Sequence, residues 1–210
     1  MTRVITLEDG RPLAGDDLKA AVAAVKACKI VVFPTDTVYG LGSNGLVKAA
    51  LRRLYEVKGR DSLKPLPILI HSVDEAKRWV EWTPAAEVLA RKFWPGPVTL
   101  VLKPTKEGRL LTFQEFPTLA VRVPAHPAAL SLIEAAGVPL VSTSANPSGK
   151  PATGSGAEAA AWFQGKVEVI IDAGAVSGKE STLVDASGPV LRVLREGAVT
   201  RDAVLQAAAA

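Results

Sequence analysis

Ile30-Val31-Val32-Phe33-Pro34-Thr35-Asp36-Thr37-Val38-Tyr39-Gly40-Leu41-Gly42 is the stretch on which the fold class turns. Its first four residues are apolar and mostly β-branched, the composition of a strand buried on both faces. Pro34 stops that strand, because proline has no N–H to give to a sheet. Upstream, Leu18, Ala21, Val22 and Val25 recur at helical spacing with Lys19 and Lys26 opposite, and Asp16 or Asp17 is placed to cap the helix. Downstream, Leu51, Leu54 and Tyr55 mark one face of a second helix over residues 48–56. Helix, buried strand and helix in succession argue for an α/β layer structure.

The alternation continues outward. Residues 68–70 read as a strand, and Ser72 with Glu75 forms a capping-box pair opening a helix over residues 73–80. Pro84 suits the first turn of a helix running to Phe93. Further on, residues 98–102, 119–123, 140–141, 167–171, 182–184 and 190–194 read as strands, interrupted by helices over residues 128–136 and 158–163. Short neighbouring strands near the C-terminus favour antiparallel pairing. The expectation is one α/β domain over residues 1–210, with its core at about 15–200 and a twisted mixed sheet flanked by helices; residues 207–210 are expected to fray.

Composition bounds the function. Of 210 residues, 48% are apolar and 22% charged, so the chain can bury a full core and its composition argues against disorder. One cysteine, Cys28, rules out an internal disulfide or a multi-cysteine zinc site and reads as a buried spectator thiol. With no secretory leader at Met1-Thr2-Arg3, a reducing, cytoplasmic setting is expected. No apolar run reaches the roughly 18 residues of a membrane span. A net charge of +4 and a pI near 9.3 attract anions, nucleotides or RNA alike.

Three polar stretches carry the chemistry. In the first, Thr35 and Thr37 present hydroxyls, Asp36 a carboxylate able to orient an amine, and Gly40 and Gly42 allow close backbone approach or positive φ. It is neither a Walker loop nor a dinucleotide fingerprint. The second, Lys58-Gly59-Arg60-Asp61-Ser62-Leu63-Lys64-Pro65, reads as an extended loop with three cations in seven positions. Arg60 offers a planar fork for phosphate oxygens, and Lys58 and Lys64 offer compact charges. In the third, Ser142-Thr143-Ser144-Ala145-Asn146 releases hydrogen-bonding side chains at a strand end, and Gly149 and Gly154 allow a wrapping loop. Each alone also reads as an ordinary turn; together they suit a triphosphate and an amino acid. Arg122 stands among apolar neighbours and needs a polar cleft or a buried partner. His71 and His126 form no triad or metal site.

In order along the chain, these residues resemble the YrdC family of L-threonylcarbamoyladenylate synthases. The resemblance runs from about Leu18 to Gly197 and rests on residues 34–41, Lys58-Gly59-Arg60 with Lys64-Pro65-Leu66, Trp94-Pro95-Gly96-Pro97-Val98-Thr99-Leu100, Val121-Arg122-Val123-Pro124 with His126-Pro127, residues 142–146, and Arg195-Glu196-Gly197. It implies a concave basic cleft and an enzyme joining L-threonine, bicarbonate and ATP into threonylcarbamoyl-AMP with release of pyrophosphate. The product would pass to a separate transferase that modifies the adenosine beside the anticodon of certain tRNAs. Carried over residue by residue, the resemblance gives Thr35, Arg122, Ser142 and Ser181 to threonine. It gives Lys58, Ser62, Thr118, Ser144 and Arg195 to ATP, with Arg60, Lys64 and Asn146 supporting the phosphates. Mg²⁺ would arrive on ATP, since no carboxylate cluster offers it a cage. No residue is assigned as nucleophile, acid or base. Two positions depart from the family: Asp61 stands where many members have proline, and Leu69 where some carry a histidine, with His71 two positions on as a substitute. Longer members continue into a second domain, so the short, one-domain form is expected.

Three other readings stay open. One is an RNA-binding protein using the basic cleft without turnover. Another is a carbamoyl-transfer module of the hydrogenase-maturation type, against which the single cysteine argues. The third is a regulatory protein that keeps the fold without activity.

Overall fold

The computed structural model describes residues 1–8, 10–59, 61, 65–111 and 116–209. Arg60, Ser62 and Lys64 of the expected phosphate loop lie outside the described residues. Among those described, ten strands form a single sheet in the order β1-β8-β2-β3-β7-β4-β6-β5-β9-β10. They are β1 (Arg3–Thr6), β2 (Val31–Phe33), β3 (Gly40–Asn44), β4 (Ile68–Leu69), β5 (Val98–Leu102), β6 (Leu119–Arg122), β7 (Leu140–Ser144), β8 (Val169–Asp172), β9 (Thr182–Asp185) and β10 (Arg192–Arg195). The sheet is mixed: β1/β8, β2/β8, β4/β6 and β5/β9 are parallel, and the remaining neighbours antiparallel.

Among the described residues seven α-helices cover the sheet: α1 (Gly15–Lys26), α2 (Lys48–Lys58), α3 (Val73–Trp79), α4 (Pro84–Phe93), α5 (Pro127–Ala136), α6 (Gly156–Phe163) and α7 (Arg201–Ala209). Alternation along β2 and β8 divides the core. Val31, Phe33, Val169 and Ile171 pack on one face with residues of α1 and α5, while Val32 and Ile170 pack on the other with residues of α2, α3, α4 and α6. That two-sided burial explains why the central strands lack a polar side.

Several local expectations are corrected. Neither Asp16 nor Asp17 caps α1; Ala14 occupies that position without a side-chain bond, and the aspartates sit in the first turn, where their charge meets the positive end of the helix dipole. Ser72 does cap α3, accepting from the Glu75 amide at 3.1 Å, but the Glu75 carboxylate reaches His71 N rather than the cap's own N–H. Residues 207–209 form the last part of α7. Gly40 and Gly42, which end the polar stretch that also reads as a turn, lie in β3, Gly40–Asn44, near the centre of the sheet.

Phe33 supplies the reason for the glycines of β3. A Cβ on Gly42 would lie 2.7 Å from the Phe33 ring, and one on Gly40 would lie 3.1 Å from it. Neither glycine has positive φ. Both leave room for a buried ring to lie across the neighbouring strand, and Gly40 also lines the cavity described below, where a Cβ would lie 3.2 Å from Ser142 Oγ. None of the described helices is long and apolar enough to cross a membrane.

Candidate active site

Strand pairing joins the first and third polar stretches directly. β3 lies against β7 with Gly42 opposite Ser142 and Gly40 opposite Ser144. On the other side of β7, β4 sets Leu69 beside Arg122 of β6, and β5 and β9 carry the sheet on to β10. The result is a cavity of ≈ 130 Å³ lined by Thr35, Arg122, Ser142, Ser144, Ser181 and Arg195 among others. All six were sequence candidates, brought together from five separate segments.

Arg122 is a deeply set cation, 5% exposed. Its Nε donates to Gly96 O at 2.9 Å, Nη1 to Thr37 Oγ1 at 2.9 Å and Nη2 to Asp36 Oδ1 at 2.6 Å. Burial pulls its pKa below the ordinary arginine value, and the Asp36 charge pushes back. Asp36 Oδ1 also accepts from Ala125 N at 2.8 Å. Asp36 therefore answers the arginine through Oδ1, while its Oδ2 is buried with no hydrogen-bond partner among the described residues. Three of five guanidinium N–H groups are bonded among the described residues, and the side chain lines the cavity.

The threonines form a turn beneath that guanidinium. Thr35 Oγ1 donates to Val38 O at 2.7 Å, so in the 2.9 Å contact between the two hydroxyls Thr37 is the donor; Thr35 Oγ1 accepts again from Thr37 N at 3.2 Å. The Thr35 hydroxyl is thus consumed within its own turn. Ser142 differs: among the described residues its hydroxyl has no hydrogen-bond partner, while its backbone N–H donates to Pro67 O at 2.9 Å.

The opposite wall is built by Ser181 and Arg195. Ser181 Oγ lies 2.8 Å from Thr99 Oγ1. Arg195 Nη2 donates to Ser181 O at 2.9 Å and Nη1 to Glu180 Oε1 at 2.9 Å. Thr99 and Glu180 both line the cavity and were not singled out from sequence. Thr99 left a signal, a polar residue inside the apolar run Val98-Thr99-Leu100-Val101-Leu102, 3% exposed.

Lys58 overturns the extended-loop expectation. It is the last residue of α2, closed by Gly59 at φ 65°, ψ 34°, the left-handed conformation that glycine adopts without strain. Its ammonium is buried and donates to Ser144 O, to Ser144 Oγ at 3.1 Å and to Asn146 Oδ1 at 2.6 Å. The Asn146 amide nitrogen in turn donates to Pro147 O at 3.1 Å and Lys150 O at 2.5 Å. Lys58 and Asn146 stand behind Ser144 rather than on the cavity wall. Thr118 is further removed, in a separate recess among Leu66, Phe116 and Val141. His71 does not replace a cavity histidine: Leu69 lines the cavity, whereas His71 is exposed, its Nδ1 2.6 Å from Glu75 Oε2. No group of three metal-ligating side chains occurs among the described residues.

A mixed α/β sheet with a small polar cavity, two carboxylate-held arginines and several hydroxyls defines a binder of a small, charged, hydroxyl-matching molecule. The chain belongs to the Sua5/YciO/YrdC family: the family model, described as "Telomere recombination", matches residues 23–197. Threonylcarbamoyl-AMP synthases of Pyrococcus abyssi and Bacillus subtilis are 44% and 36% identical to it over 86% and 88% of the chain. The chain spans about half the length of these relatives, 54% of each. The crystal structure of P. abyssi Sua5 complexed with L-threonine superposes with a TM-score of 0.91 at 39% identity, covering 98% of this chain and 61% of that one.

Proposed function

We propose that this protein is a threonylcarbamoyl-AMP synthase, a nucleotidyltransferase using L-threonine, bicarbonate and MgATP. The observation that carries the reading is the convergence of Arg122, Ser142 and Ser181 on one cavity, in a chain so similar to a protein crystallised with L-threonine. The guanidinium of Arg122 at the cavity matches a carboxylate, and the open Ser142 hydroxyl matches a polar group on a small side chain.

In this reading the threonine amine condenses with bicarbonate, losing water, to give a carbamate. A carbamate oxygen then bonds the α-phosphorus of ATP while the bond to pyrophosphate breaks. Such a step needs alignment and charge neutralisation more than a protein nucleophile. Arg122 and Ser142 hold the amino acid, Ser144 and Arg195 meet the phosphates, and Lys58 with Asn146 keeps Ser144 in place. The roles of Arg60, Ser62 and Lys64 follow from family resemblance alone, and Mg²⁺ enters as part of the nucleotide. The threonylcarbamoyl-AMP then passes to a separate tRNA-modifying transferase, in the cytoplasm.

The test is pyrophosphate release from MgATP with bicarbonate, with and without L-threonine. Release that requires threonine supports the reading. Release indifferent to threonine, or none alongside salt-sensitive RNA binding, overturns it.

A further inference from the structure

Arg195 owes its aim to an irregularity in β10. The register against β9 runs Arg192 to Asp185 and Val193 to Val184, then skips to Arg195 opposite Leu183, leaving Leu194 as an extra residue. A bulge of this kind turns the side chain that follows it. It sends the guanidinium back over residues 180–181, where Nη1 meets Glu180 and Nη2 meets Ser181 O. Glu180 and Arg195 both line the cavity, and each side chain is 43% exposed, so the pair lies at the rim and not in the core.

We propose that Glu180 is a positioning residue that holds Arg195 across Ser181 when no nucleotide is bound, and that a phosphate of the nucleotide must displace its carboxylate. The inference rests on the nucleotide-using reading above. Carboxylate and phosphate oxygens compete for the same guanidinium N–H groups, and both cannot satisfy one donor at full strength. Glu180 thereby keeps the arginine from folding away over the open edge strand, and it weakens the resting affinity for any anion. The other arginine–carboxylate pair at the cavity, Arg122 with Asp36, is deeply set, with side chains 6% and 18% exposed; the rim pair is the more accessible to a competing anion.

The test compares Glu180→Gln with the native chain, since glutamine keeps the acceptor oxygen and removes the charge. Direct titration with ATP in the absence of threonine is expected to show about two- to fivefold tighter binding in Glu180→Gln, the scale of an exposed ion pair. Threonine KM is expected to stay unchanged, and in the Arg195→Ala background Glu180→Gln is expected to have no effect on ATP affinity. Unchanged or weaker ATP binding in a folded Glu180→Gln protein, or the same gain without Arg195, overturns the proposal. Because ATP binding is read without turnover, absence of threonine-dependent pyrophosphate release in the native chain would count against the enzyme reading separately.

Discussion

The Arg122 guanidinium and the Asp36 carboxylate lie 2.6 Å apart, both largely enclosed, with Asp36 also taking the Ala125 N–H. A buried pair of this kind contributes little beyond its own desolvation, yet removing one member strands the other's charge. Asp36→Ala is therefore expected to cost about 3 kcal/mol in urea denaturation. Arg122→Lys keeps the charge but loses the fork, and is expected to weaken threonine at least tenfold, about 1.4 kcal/mol, with ATP affected less. Equal loss of both ligands in direct titrations would contradict the assignment of Arg122 to the amino acid.

Lys58 has a second duty beyond any contact with phosphate. Lys58→Ala removes the donor shared by Ser144 and Asn146, so the expected outcome is loss of ATP use together with about 1–3 kcal/mol of stability. Denaturation and ATP titration on the same preparation check both parts. A variant as stable as the native chain would show that the ammonium is not structural.

Gly42→Ala tests why the centre of the sheet is glycine. The added methyl meets the Phe33 ring, and overpacking is expected to cost about 1–3 kcal/mol. In a Phe33→Leu background the same substitution should cost less, because the ring edge is gone. Additive losses in thermal melts would rule out the packing explanation.

Tyr39 ties the β2–β3 turn to the end of β8 through its hydroxyl, which donates to Gly174 O at 2.8 Å and accepts from Ala173 N at 3.0 Å. Tyr39→Phe strands that buried amide, at about 1–2 kcal/mol. Hydrogen exchange at Ala173 should accelerate; an unchanged rate would show the bond to be dispensable.

What the chain reveals before folding follows from how each element is encoded. Helices α4 and α5 and strand β5 are legible because apolar spacing and Pro84 mark them within a residue or so. β3 is hidden because its strand character comes from a neighbour's ring rather than from its own side chains. β1 is short and lies at the sheet edge, pairing only with β8, and its four residues give no period. The end of α2 was missed because Lys58 reads as part of a charge run, although Gly59 after it was an available stop signal. At the site, Arg122 was conspicuous among apolar residues. Glu180 and Asp36 became meaningful only when folding set each beside its arginine.

Mass-spectrometric identification of the nucleotide product formed from MgATP, labelled bicarbonate and L-threonine tests the central claim most directly. The account predicts one product carrying AMP, the labelled carbon and threonine, made in step with pyrophosphate and lost in Arg122→Lys at native threonine levels. Hydrolysis of ATP with no labelled adduct, by a correctly folded protein, would contradict it.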